Sequence, residues 1–109
     1  MINEEDYVFA FQLISFAGDS KATFLEAIKK AKNFEFDAAE ELVNQGKAQL
    51  LKAHKLQTEK IQQESQGTPV PVNIILVHAQ DHLSMASMAK ERAIELIDLY
   101  RIIKNLSKQ

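Results

Sequence analysis

Helix breakers are scarce in this chain. Its 109 residues include three glycines, at positions 18, 46 and 67, and two prolines, at 69 and 71. Long segments without breakers favour helix. They divide the chain into three predicted helices, over roughly 4–32, 35–65 and 71–106. Each would be about 45 Å long, at 1.5 Å of rise per residue. Short links make consecutive helices run antiparallel. The expected fold is therefore a single all-α domain over 1–109, an elongated antiparallel three-helix bundle with apolar surface left for other chains.

Local chemistry supports these limits. Asn3 is a suitable N-cap, with Glu4, Glu5 and Asp6 behind it in the first turn. Tyr7, Phe11, Ile14, Phe24 and Ile28 are the expected apolar positions of the first helix, and Gly18 is expected to kink or interrupt it. Lys29, Lys30 and Lys32 suit the negative end of the helix dipole, and Asn33 is the expected stop. In the second helix Phe36, Ala39, Val43, Gly46, Leu50, Ala53 and Ile61 form the expected buried stripe. Gly67 suits a C-terminal cap, and Pro71 is expected in the first turn of the third helix. That helix opens with Val72, Ile74, Ile75, Leu76 and Val77 and becomes amphipathic through Ala86, Ala89, Ala93, Ile97 and Tyr100.

Composition excludes several classes of function. Thirteen basic and fifteen acidic residues give a formal charge of −2, without the concentrated basic face that nucleic acid needs. With no cysteine, disulfides and thiolate chemistry are ruled out. Charged residues interrupt every apolar run, so no membrane insertion is expected. The acidic start lacks the basic segment of a signal peptide, and the expected location is the cytoplasm.

The polar pentapeptide His78-Ala79-Gln80-Asp81-His82 follows an aliphatic run, and helical spacing gives it a geometry. His78 and His82, at i and i+4, share a face, and Asp81 at i+3 flanks it. Gln80 at i+2 points away from His78. Three readings fit this spacing. The pair can be surface histidines. It can be a divalent metal site with Asp81 as third ligand, although Ala79 stands where the zincin pattern needs its glutamate base. It can also be a phosphohistidine site, in which one neutral imidazole is the nucleophile and the other donates to phosphoryl oxygens. Spacing does not choose between His78 and His82 as the nucleophile. His54, alone on the second helix, reads as a surface residue.

Residues 75–83, Ile-Leu-Val-His-Ala-Gln-Asp-His-Leu, resemble the active-site motif of the enzyme IIA proteins for lactose, cellobiose and chitobiose in the bacterial sugar phosphotransferase system. The resemblance extends over nearly the whole chain. It implies a homotrimeric cytoplasmic phosphocarrier, a phosphotransferase component rather than a stand-alone enzyme. In that family the first motif histidine, here His78, accepts a phosphoryl group from HPr and passes it to a cysteine of enzyme IIB. It also implies that Asp81 lies near the threefold axis, where a divalent metal ion such as magnesium can bind. No organic cofactor is implied. The family usually continues with Met-Thr or Met-Ser after the motif leucine, whereas Ser84-Met85 follows Leu83 here, which alters the collar around the site.

Phosphoryl transfer needs positioning and stabilisation of negative charge. With His78 about two turns inside a helix starting near 71, the dipole would contribute little. His82 is the expected phosphate hydrogen-bond donor. Gln80, facing elsewhere, could reach phosphate only from a neighbouring subunit. Ile75, Leu76, Val77, Leu83 and Met85 read as core ahead of partner surface. The reading from a different class is a non-catalytic helical oligomerisation module with a metal on its Asp81/His82 face.

Overall fold

A computed structural model describes residues 2–108. Three helices, α1 (Glu4–Lys32), α2 (Phe36–Ser65) and α3 (Ile74–Ser107), account for almost all of them, with no strand among the described residues. The all-α reading holds, and each helix lies close to its expected span.

The helix ends show why. At the start of α1, Asn3 Oδ1 accepts from the Asp6 N–H at 3.1 Å, and Asp6 Oδ2 accepts from the Asn3 N–H at 2.9 Å. This reciprocal capping box satisfies two groups the helix cannot. At the end of α1 the left-handed residue is Phe34, with φ 64°, and not Asn33, whose φ is −92°. Phe34 N–H bonds to Ala31 O and Glu35 N–H to Lys30 O, the pairing of a Schellman turn. A bulky residue in this conformation costs about 1–2 kcal/mol. Its ring recovers contact by stacking on Phe36, with centroids 6.0 Å apart, below Lys104 Nζ. Gly67, with φ 98°, ends α2 by the same pairing, and here the residue suits the conformation.

The largest boundary difference is at α3. Pro71 and Val72 precede the helix, and Asn73 caps it, its Oδ1 accepting from the Leu76 N–H at 2.9 Å. Asn73 supplies the acceptor that a helix start needs, which a proline cannot. Gly18 also departs from expectation, because α1 runs through it without a break.

The core is a seam of alanines filled by a few large side chains. Ala10, Ala17, Ala27 and Ala31 of α1 meet Ala39 and Ala53 of α2 and Ala79, Ala86 and Ala93 of α3, with Leu13, Phe24 and Ile97 between them. Central α1 packs along both other helices, which touch each other less. The alanines correct two expectations. Tyr7 and Phe11 are exposed, and Phe9, Ala10 and Leu13 are buried instead. Close helix packing selects the small residues, so the inward face follows the alanines rather than the largest rings. Ile61, expected in the α2 stripe, is also exposed and borders a cleft at the end of the bundle.

The α1–α2 crossing is tight at Gly46. Ser20 Oγ, fully buried, donates to Gly46 O at 3.0 Å. A Cβ on Gly46 would lie 2.7 Å from the ring of the buried Phe24.

The molecule measures 64 × 21 × 18 Å, with a radius of gyration of 17.3 Å. A compact chain of this length would have a radius near 13 Å. Its surface of 7122 Å² exceeds the roughly 6,100 Å² expected of a monomer of this mass. Part of the excess is an apolar stripe on α3, comprising Ile74, Val77, Met85, Met88, Leu99, Ile102 and Leu106, all exposed. With Asp81, Arg92 and Glu95 these residues follow one another in steps of three and four, the spacing of a coiled-coil seam.

Gly46→Ala should destabilise the protein by about 1–3 kcal/mol, the usual range for overpacking a filled core. Denaturant unfolding measures this. An unchanged midpoint would show that Phe24 moves aside at little cost.

Candidate functional site

Asn73 sets the start of α3, and His78 is therefore its fifth residue. This places it just past the first turn, closer to the positive end than the two turns expected. Side chains on a helix lean toward its N-terminus, so the imidazole extends further in that direction. The dipole then favours negative charge at this ring more than the sequence reading allowed.

His78 and His82 come together as their spacing required. Their Nε2 atoms are 3.1 Å apart, and the rings meet edge to face with centroids separated by 4.6 Å. In such a contact one ring donates its N–H and the other offers a lone pair. A lone pair is also what a nucleophile needs. His78 is exposed and His82 half-buried. Between them in sequence, Ala79 is fully buried and anchors this turn to the core. The outer histidine is thus accessible, and the inner one is held against the bundle as its partner.

Asp81 and Gln80 lie elsewhere on the helix. Asp81 is exposed, on the apolar stripe of α3. Among the described residues no group of three His, Cys, Asp or Glu side chains is placed to hold a metal ion. His78, His82 and Asp81 are thus not gathered into one three-ligand set within the chain. Gln80 is half-buried on the α2 side and accepts a hydrogen bond at Oε1 from Gln57 Nε2. It faces away from its own His78, as expected.

A cleft of about 200 Å³ adjoins Gln80, lined by Phe9, Gln57, Lys60, Ile61, Glu64, Val70, Val72 and Leu76. Sequence reasoning missed Gln57 and Lys60 as neighbours of the motif. Gln57 sits in a glutamine-rich stretch with Gln62 and Gln63 and carries no distinguishing pattern. His54 is exposed, as expected, with Nε2 3.4 Å from Ser87 Oγ. Of the aliphatic residues read as core around the motif, Leu83 is buried, Ile75 and Leu76 are half-buried, and Val77 and Met85 are exposed. The last two belong to the outward stripe.

The family profile described as "PTS system, Lactose/Cellobiose specific IIA subunit" matches residues 8–101. The chain belongs to this family. The lactose-specific EIIA component of Staphylococcus epidermidis is 37% identical over 101 residues, spanning 93% of this chain and 97% of that protein. Among solved structures, the cellobiose-specific enzyme IIA of Bacillus anthracis superposes with a TM-score of 0.91 at 36% identity, over 96% of this chain and 95% of that one. The chitobiose IIA of the Escherichia coli phosphotransferase system, solved in complex with HPr, superposes with a TM-score of 0.78 at 33% identity, over 94% and 99%. The fold of this IIA-family chain is thus shared along nearly its full length. No helix among the described residues is long and apolar enough to cross a membrane.

His82→Ala removes the partner of the exposed ring without touching the core. It should slow phosphorylation of the protein by about 10- to 100-fold, the worth of one charge-assisted hydrogen bond. Rapid-quench labelling reads the rate, and circular dichroism should remain unchanged. A wild-type rate would remove His82 from the site.

Proposed function

We propose that the chain is a phosphocarrier that accepts a phosphoryl group from phospho-HPr on His78 and passes it to a cysteine of enzyme IIB during uptake of a β-linked disaccharide. The observation that carries this reading is the exposed His78 ring, held by His82 at 3.1 Å near the positive end of α3. Family membership supports it, as does the HPr complex formed by the chitobiose relative.

The chemistry is an exchange of one N–P bond for another. The His78 Nε2 lone pair attacks phosphorus, the bond to the donor imidazole breaks, and that imidazole leaves with the electron pair. In the second transfer a thiolate sulfur attacks, and His78 is the leaving group. While His78 carries the phosphoryl group, His82 donates to a phosphoryl oxygen, and it returns to the ring nitrogen once the lone pair is freed. Little covalent work falls to the protein, and the barrier is set by alignment and charge.

The active assembly in this reading is a homotrimer. The apolar stripe of α3 has the spacing of a helix seam, and Asp81 lies within it. Asp81 residues from three copies would meet at the axis and would repel unless protons or a cation neutralise them. Carboxylate oxygens suit a hard divalent ion such as magnesium, which would supply neutralising charge there and no step of the transfer. Gln80 faces away from its own His78, so its contact with phosphate is made across the subunit boundary.

Incubation with phosphoenolpyruvate, enzyme I and HPr should introduce about one acid-labile phosphate per chain, absent from His78→Ala, given one nucleophilic imidazole per subunit. Undiminished labelling of His78→Ala would refute the assignment. Asp81→Leu, which replaces by an apolar group a charge that the trimer would bury, should keep or strengthen the trimer. Sedimentation of the variant as a monomer would contradict that role for Asp81.

A further inference from the structure

We propose that Gln57 is a positioning residue of the phosphotransfer site, fixing the orientation of the Gln80 amide so that its NH₂ group faces the phosphoryl oxygens of a neighbouring subunit. The inference deepens the composite-site reading above and rests on it. A glutamine amide carries an acceptor at one end and two donors at the other. Phosphoryl oxygens only accept, so Gln80 is useful in one orientation and repulsive in the other. Gln57 Nε2 donates to Gln80 Oε1, which occupies the acceptor end and leaves the NH₂ group free.

Charged and apolar side chains share the cleft with this pair. Lys60 lines the same cleft as Gln57 and Gln80, one turn further along α2. Its ammonium lies 5.0 Å over the Phe9 ring, and Glu64 lines the cleft beside it. The Gln57 NH₂ group is turned toward Gln80. Both glutamines are part-buried. Phe9, Val72 and Leu76 line the apolar part of the cleft, where a hydrogen bond is stronger than in water.

The test separates donor from acceptor at position 57. Gln57→Glu can only accept when ionised and would turn the Gln80 NH₂ group inward, while Gln57→Met keeps the shape and removes the bond. Both should slow labelling of His78 by phospho-HPr, Gln57→Glu by about 5- to 50-fold and Gln57→Met by less, as expected for coupled neighbours. In a Gln80→Ala background the Gln57 effects should fall below about 2-fold. Mixed oligomers of Gln57→Glu with His78→Ala subunits should regain rate, since each supplies what the other lacks. Equal loss in both backgrounds, or no rescue on mixing, would overturn the role of Gln57 and leave His78 chemistry standing. A Gln80→Ala protein that labels at the wild-type rate would remove the composite site itself.

Discussion

The rotation of α3 about its own axis is the constraint on which the site depends. Two features fix it. Asn73 sets where the helix begins, through its bond to the Leu76 N–H. Ala79, Ala86 and Ala93, all fully buried, set which side faces α1 and α2. A helix locked in this way has no choice about the remaining positions. His78 emerges exposed, His82 lies beside it half-buried, and Asp81 falls on the outward stripe. A one-residue slip would turn each by about 100°, which would bring a charged or imidazole group into an alanine seam.

Such a seam has consequences for assembly. Alanines let helices approach closely, but each buries little area, so stability rests on a few large side chains and on neighbours. The Phe24 ring against Gly46 and the Ser20 bond to Gly46 O fix the α1–α2 crossing at one point. The apolar stripe along α3 remains uncovered on the single chain. The same helix thus presents three faces with separate duties: an alanine face to the core, an imidazole edge to solvent, and an apolar face suited to a partner helix.

Much of this was legible in the sequence because it depends on local chemistry. The scarcity of glycine and proline marks three helices, and Asn3 with its acidic neighbours marks the first start. The i, i+4 spacing of His78 and His82 is geometry that any helix enforces. The errors came where local rules compete. Pro71 and Asn73 are both acceptable near a helix start, and the side-chain oxygen of Asn73 prevails. Phe34, not Asn33, takes the left-handed turn, because stacking on Phe36 and the cation of Lys104 offset its strain. Tyr7 and Phe11 have helical spacing yet point outward, since the alanines determine the packed face. Gln57 was beyond reach: it meets Gln80 across two helices, 23 residues away in sequence, and nothing local records it.

The central claim is that Nε2 of the exposed His78 is the nitrogen that carries phosphate. Phosphorus NMR of the freshly phosphorylated protein, with and without ¹⁵N in its histidine rings, tests this most directly. The account predicts a single phosphoramidate resonance, coupled to the Nε2 nitrogen of His78. A resonance coupled to His82, or an ester signal stable to acid, would contradict it.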